Sequence, residues 1–425
     1  MTLGEGNDAP PGSWSIVLRS VAALVAATFV AGSLTAYLTF RSDWQAIKRI
    51  DVSKDLASHR PPADPNALNI LLIGSDTRSG ANGKIGGQAG ISGARSDTAM
   101  VLHIAPGAQQ AVVLSIPRDS VVPILSCSHE DGTPGQTAQP AGYVEQLNAT
   151  FAYGGPGCLW KTIEQTTGIH INDFIELTFA GFEHIINDIG GVNVCLPVAV
   201  HDPRSRLNLS AGRHHVYGRE ALAFWRVRYI GEGSDLQRIR RDQFLMASLV
   251  RGIEGSRLLH SPTELLSMIN DVARHKYIAT DTGLTPGRLF TIAAELRRIK
   301  PGSVQFIEAP TQPYPGNPQA WVELAQPQAA RLFKAIARDT RIPASGHRKR
   351  SGLRARILGS SYSRLKAQRA SAPGASSVGL GTAATPSRAA GPRVNRSLAG
   401  KYGGITGNAP ICGDAGAFNG PDGNH

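Results

Sequence analysis

The sequence predicts an α/β domain, a mixed central sheet flanked by helices, carried behind one N-terminal transmembrane helix. Three observations predict it. Val21–Phe40 is an uncharged run of twenty residues, the length that crosses a hydrocarbon core. Short apolar runs stopped by Gly, Pro or Asp, such as "LNILLIGSD", "TAMVLHIAP" and "QAVVLSIPRD", read as buried strands. Amphipathic stretches such as "SDLQRIRRDQFLMASLVRGI" interleave with them as helices, yet short strand-to-strand links imply antiparallel pairs, so the sheet is mixed.

In chain order, residues 1–15 form a short N-terminal segment and 16–40 the anchor. A cleaved signal peptide would have a shorter apolar region and a small-x-small end, whereas this run ends Tyr-Leu-Thr-Phe. Residues 41–65 read as a polar connector ending in "RPPADP". The domain, 66–342, opens with the first strand, a Gly-rich loop and two further strands. From "CLWKTIEQTTG" a helix is expected, then the strand "FIELTF", the helix "AGFEHIINDIGG" and the strand "VNVCLP". "GREALAFWRVR" and the long "SDLQRIRRDQF" segment are helical, and 261–342 reads as mainly helical with one strand, "VQFIEAP".

The net charge of +12 suggests nucleic acid until it is located. From Gly346 onward there are 12 Lys+Arg against 2 acids, while the preceding 345 residues hold 32 basic and 30 acidic side chains. The body is nearly neutral. The tail, 343–425, is rich in Ser, Ala, Gly, Pro and Arg and cannot bury enough apolar surface to offset its ordering entropy, so it reads as disordered. It serves either as a solvated linker or as an electrostatic contact to an anionic envelope polymer or membrane surface.

Two signals disagree on the side of the membrane. Arg19 precedes the apolar run while Arg41, Lys48, Arg49 and Lys54 follow it, which by the positive-inside rule puts the domain in the cytoplasm. The four cysteines, Cys127, Cys158, Cys195 and Cys412, are even in number and lack metal-ligand spacing, which points to disulfides in an oxidising compartment.

Several chemistries are set aside. "GANGKI" fails P-loop spacing and has Ile85 where a hydroxyl must reach magnesium. There is no G-x-S-x-G elbow and no H-E-x-x-H, and Ser363 with Lys366 falls in the tail. What recurs is acid beside arginine: Asp76 and Arg78, Arg95 and Asp97, Arg118 and Asp119, each at a strand boundary. A final cluster holds five arginines, Arg226, Arg228, Arg238, Arg240 and Arg241, interleaved with Glu232, Asp235 and Asp242. Strand ends of α/β sheets are where ligands bind. Carboxylates are hard oxygen ligands for Mg²⁺ and guanidinium forks hold phosphate bidentately, so the set describes a site for a metal-bound pyrophosphate.

These residues also carry a resemblance. "LLIGSDTR", "GARSDTAMVLHI", "VVLSIPRDS", "LNATFAYGGPG", "DIGGVNVCLP", "LSAGRHHVYGREALAFWRVRY" and "SDLQRIRRDQ" follow one another in the order of the LytR-CpsA-Psr family of cell-envelope phosphotransferases, over roughly residues 66–342. "PYPGNP" and "ICGDAG" look like actinobacterial members. The resemblance implies a single-pass protein of the cell membrane, its N-terminus cytoplasmic and its domain extracytoplasmic. It implies transfer of a polyprenyl-pyrophosphate-linked glycopolymer, with one phosphate, to a peptidoglycan hydroxyl. It assigns Mg²⁺, with Mn²⁺ as a substitute, to Asp76 and Asp97. Arg78, Arg95, Arg118, Arg226, Arg228, Arg238, Arg241 and Gln243 contact the pyrophosphate, and Asp76, Asp97, Arg118 and Asp235 form the catalytic set. Either Asp97 or Asp235 is the general base. An apolar tunnel between sheet and helices takes the lipid, and no nucleic acid is expected. A Cys127–Cys158 bridge is favoured over Cys195–Cys412.

The sequence departs from the family where Asp242 replaces a glutamine, where Gln146 replaces a lysine, and in the long Gly-rich insert after Asp76. Rival readings are a pyrophosphatase using water as acceptor, a non-catalytic wall-polymer binder, and a membrane-bound DNA-binding attenuator. Asp235 and Asp242 on the Arg-rich helix argue against the last, because phosphate contacts on DNA exclude interspersed acids.

Overall fold

The computed structural model describes residues 13–56, 60–75, 96–127, 143–196, 198–227, 235–256, 261–342 and 405–406. Helix α1 (Ser13–Ala46) is followed by β1 (Lys48–Ile50), α2 (Ser53–Leu56), β2 (Leu68–Ser75), β3 (Ser96–Ile104) and β4 (Ala111–Ile116). A hairpin of β5 (Val121–Pro123) and β6 (Val144–Gln146) leads into α3 (Leu147–Thr167), β7 (Asp173–Thr178) and α4 (Phe179–Asp188). The strands β8 (Val192–Leu196), β9 (Val200–Asp202), β10 (Leu207–Leu209) and β11 (Gly212–Val216) precede α5 (Gly218–Arg226), α6 (Asp235–Gly255) and α7 (Pro262–Arg274). The chain continues through β12 (Ile278–Asp281), α8 (Pro286–Arg298), β13 (Val304–Glu308), a hairpin of β14 (Thr311–Pro313) and β15 (Val322–Leu324), α9 (Gln328–Ala337) and β16 (Ile405–Thr406).

The main sheet runs β1-β12-β7-β2-β3-β4-β13-β16. β2, β3 and β4 pair antiparallel, β3 and β4 through a short link, while β2–β7, β4–β13 and β1–β12 pair parallel, so the sheet is mixed as expected. Successive side chains on a strand point to opposite faces, and both faces are apolar. Leu71, Ile73, Val101, Val112 and Leu114 pack beneath α3 and α9 against Leu159, Ile163, Leu332 and Ile336. The alternate residues Ile70, Ile104, Met100 and Val113 meet Ile292 of α8 and Ala247 of α6. On that second face Leu72, Leu102, Met246, Val250, Leu296 and Ile299 are only partly buried, leaving an apolar seam between sheet and helices.

Three regions differ from expectation. Residues 41–65 are not simply a polar connector: α1 extends to Ala46, and Ile50, Val52 and Leu56 enter the core. Arg60 clamps their far end, its Nε and Nη2 donating to Glu164 Oε2 and Oε1 at 3.0 and 2.7 Å. Region 261–342 contributes β12, β13 and the β14–β15 hairpin rather than one strand. In the tail, Ile405 and Thr406 pair with Phe306 and Gln305, covering part of an edge that β13 would otherwise leave open.

Val17–Thr35 of α1 is long and apolar enough to cross a membrane and lies outside the packed body. The Cys127–Cys158 disulfide forms, with Cα atoms 5.4 Å apart, and ties the segment after β5 to α3. Cys195 lies on β8, and Cys412 falls outside the described residues.

A buried polar contact links β2 and β3 to the end of α9. His103 Nδ1 is 2.8 Å from Asn69 Oδ1, and its Nε2 is 3.3 Å from Asp339 Oδ1. Burial lowers the His103 pKa to about 4. Burial, then a hydrogen bond and repulsion from Asp64, raises that of Asp339 to about 6. The signs oppose. Stability from a raised carboxyl is complete below its ordinary 3.8 and is lost as pH rises through about 6. Stability from neutral His103 is complete above 6.5 and lost as pH falls through about 4. Asp339 adopts φ 50, a conformation asparagine tolerates. Asp339→Asn therefore isolates one arm: its stability relative to wild type should increase between pH 4 and 6 and level off above. Urea midpoints across that range check it, and a pH-independent difference would refute the shift.

Candidate functional site

One edge of the sheet collects the C-terminal ends of β2, β4, β7 and β13 and the start of β3. Ser75, the residue before Asp76, pairs with Ser96, the residue before Asp97. The register shifts at Gly74/Ser75, a bulge that re-aims the strand end. A Cβ at Gly74 would lie 3.1 Å from Thr98 Cβ, so glycine permits the close pairing there. At the end of β4, Pro117 lacks the N–H needed to extend the ladder, and a turn closes with Ser120 N–H on the Pro117 carbonyl at 3.0 Å. The carbonyls of Arg118 and Ser120 accept from the Asn148 and Leu147 N–H groups at 3.0 and 2.8 Å, which satisfies the first donors of α3 and pins the turn.

The Arg118 guanidinium, held in this turn, donates through Nη1 to Asp97 Oδ1. Its Nε is buried without a hydrogen-bond partner among the described residues and lies 3.6 Å from Asp119 Oδ2, too far for one. Gln146, at the position where the family has lysine, donates to Asp119 Oδ1 at 3.2 Å. The departure thus exchanges a cation for an amide that fixes the neighbouring acid. Further along the same edge, beyond β2, Thr178 terminates β7 and caps α4, its Oγ1 accepting from Gly181 N–H at 3.2 Å. The next residue, Phe179, carries the Arg226 guanidinium 5.5 Å above its ring. Burial pushes the Glu183 carboxyl upward, opposed by Arg219, His184 and Arg226. The α5 helix that ends in Arg226 approaches α4 so closely that a Cβ on Gly218 would stand 2.4 Å from the Glu183 carbonyl.

Of the residues expected in the site, Asp97 and Arg118 are in contact and Arg226 stands at a neighbouring strand end. Gln243 is buried on α6 with its Oε1 unpartnered among the described residues. Positions 235, 238, 241 and 242 fall on one arc of α6 by helical periodicity, the side chains of 235–241 lying outside the description. Asp76, Arg78, Arg95 and Arg228 also lie outside the described residues. Phe179 and Gln146 are the partners that the sequence did not assign to the site; the aromatic directly after "FIELT" is the one visible trace of the first.

Among the described residues no group of three or more His, Cys, Asp or Glu assembles a metal cage. Asp97 offers a hard carboxylate with its Oδ1 already taken by Arg118. That donor chemistry fits a Mg²⁺ ion bound by one or two carboxylates together with a ligand's own phosphate oxygens.

The LytR_cpsA_psr family model matches residues 34–350. The chain is 29% identical over 327 residues to the cell wall biosynthesis protein LcpA of Corynebacterium glutamicum, covering 71% of this chain and 61% of that protein. It is 31% identical over 215 residues to the probable cell wall biosynthesis protein LcpB of the same organism, covering 49% and 47%. It therefore spans less than two thirds of the length of either relative. A polyisoprenyl-teichoic acid–peptidoglycan teichoic acid transferase, TagU of Enterococcus faecalis, is 25% identical over 54% of this chain and 69% of its own. The fold is similar to that of the LytR-Csp2A-Psr enzyme from Actinomyces oris, with TM-score 0.51 and 20% identity over 68% of this chain and 96% of that one. A family match that extends across the anchor's end, the main sheet from β1 to β13 and the arginine-bearing edge leaves one conclusion: the chain belongs to the LytR-CpsA-Psr family.

Proposed function

We propose that the domain transfers a wall glycopolymer, with one phosphate, from a polyprenyl pyrophosphate carrier to a hydroxyl of peptidoglycan. The observation that carries this reading is the Asp97–Arg118 pair at the strand-end edge, with Arg118 Nε buried and without a hydrogen-bond partner among the described residues. Such a donor suits an anionic oxygen. Arg226, at the end of α5 and over Phe179 beyond the β7 end, adds a second guanidinium to the same edge.

In the reaction, the acceptor oxygen forms a bond to the phosphorus that carries the glycan. The bond from that phosphorus to the bridging oxygen breaks, and polyprenyl phosphate leaves. The acceptor proton passes to a carboxylate, that of Asp97 or of Asp235. Arg118 and Arg226 hold the pyrophosphate and offset charge that spreads onto its oxygens, which is where phosphoryl transfer draws its catalysis. Asp97, with Asp76, would hold Mg²⁺, which when bound would supply further charge neutralisation. The partly buried seam between the sheet and α6 and α8 suits the polyprenyl chain.

The same reading places the domain outside the cell. One apolar N-terminal helix among the described residues suits a one-pass anchor, and the Cys127–Cys158 disulfide suits an oxidising compartment. The test supplies lipid-linked glycopolymer with and without uncross-linked peptidoglycan oligomers. Acceptor-dependent formation of a phosphodiester-linked product supports transfer. Release of free phospho-glycan whether or not acceptor is present would instead establish a hydrolase.

A further inference from the structure

The hairpin carrying "PYPGNP" has no part in the chemistry above, yet it is fastened to the catalytic turn. Val322 N–H donates to the Asp119 carbonyl at 3.2 Å, and Val322 bridges Ser120. Between β14 and β15 the chain is held by its own hydrogen bonds. Tyr314 N–H donates to the Trp321 carbonyl at 3.0 Å, and Asn317 and Trp321 N–H groups close the turn on the Tyr314 and Asn317 carbonyls at 3.1 and 2.9 Å. These bonds set two half-buried aromatic rings 6.0 Å apart with planes inclined by 36°. Gly316 lies against the first ring: a Cβ there would come within 2.6 Å of Tyr314 Cε1. Beside them Gln312 Nε2 donates to Glu323 Oε1 at 2.7 Å.

We propose that Tyr314 and Trp321 form the subsite for the acceptor, binding a pyranose ring of the peptidoglycan glycan strand. The inference rests on the transferase reading. A pyranose ring presents an apolar face of C–H groups with hydroxyls at its rim. An aromatic face of negative quadrupole meets the first, and a flanking acid and amide meet the second. The side of approach decides between acceptor and donor glycan. In-line displacement sets the attacking oxygen opposite the leaving one. The leaving polyprenyl phosphate belongs to the seam on the α6/α8 face, whereas Ala309 and Leu324, at the two ends of the hairpin, pack into the cluster on the α3/α9 face. The hairpin stands on the side from which an acceptor must come.

The test uses the full-length protein in detergent, with Trp321→Ala, Tyr314→Ala and the ring-preserving Trp321→Phe. Direct binding of uncross-linked peptidoglycan oligomers, measured without donor, should weaken about tenfold in each alanine variant and stay within about twofold in Trp321→Phe. In transfer assays the KM for acceptor should rise by a similar factor, with donor KM and kcat at saturating acceptor unchanged. Unchanged acceptor affinity in both alanine variants overturns the assignment, as does a rise in donor KM alone, which would give the hairpin to the donor glycan. If Trp321→Ala unfolds, Tyr314→Ala decides the question. Oligomer binding that depends on the hairpin without any transfer would refute the transferase reading and leave the subsite standing.

Discussion

Replacing Arg118 with alanine should lower the transfer rate by about a thousandfold, the scale set by removing a guanidinium from a phosphoryl transition state. The loss should appear chiefly in kcat, because the charge that Arg118 offsets grows as the bridging bond breaks. The fold should survive. The turn that holds Arg118 is fixed by main-chain atoms, the Arg118 and Ser120 carbonyls under α3 and the Asp119 carbonyl under Val322, none of which the substitution removes. Arg118→Lys should recover little, since a lysine cannot hold Asp97 and offer a second, separately directed N–H to a phosphate. Single-turnover rates with lipid-linked donor, beside unfolding midpoints, check both. A variant with near-wild-type rates would remove Arg118 from the chemistry.

Asp97→Asn should cost about a hundredfold or more and differ from the arginine variant in kind. The amide keeps the shape and can still accept from Arg118, so the guanidinium stays near its native position. What disappears is the negative charge that balances Arg118 and that Mg²⁺ would share. The variant should therefore need more Mg²⁺ to reach its own maximal rate. An unchanged Mg²⁺ titration would sink the metal role while leaving the ion pair intact. Because the two side chains touch, the double variant should fall well short of the product of the single effects.

Much of this was legible in the sequence, for a physical reason that also explains what was not. β2, β3, β4 and β13 are buried on both faces, so each reads as a short continuous apolar run whatever surrounds it. The β9–β10 and β14–β15 pairs are three-residue strands of mixed polarity, and tertiary contacts alone hold them extended. Helix α3 begins at Leu147, well before "CLWKTIEQTTG", because Gly154 and Gly155 interrupt the helical geometry and disguise its first turns as a loop. At the site, the recurrence of acid beside arginine pointed to the right edge, since charged pairs at strand ends are conspicuous against apolar strands. It paired each arginine with its neighbour in sequence. The structure keeps Arg118 within ion-pair range of Asp119 but also joins it to Asp97, across the β3–β4 pair, and rests Arg226 on Phe179. Such pairings depend on register, which a single sequence does not display.

The helix that leads into the domain has a mechanical consequence. α1 continues without a break past Thr35 to Ala46, and the next residues, Ile47 and Ile50, are already buried. At 1.5 Å per residue the stretch beyond Thr35 is a strut of roughly 16 Å. Were Val17–Thr35 to cross a bilayer, as the proposed function has it, this strut would set the height of the strand-end edge above the surface. Under the proposed function, a carrier pyrophosphate would then meet the arginines at one depth only, and the anchor would act as a ruler for the substrate as well as a tether.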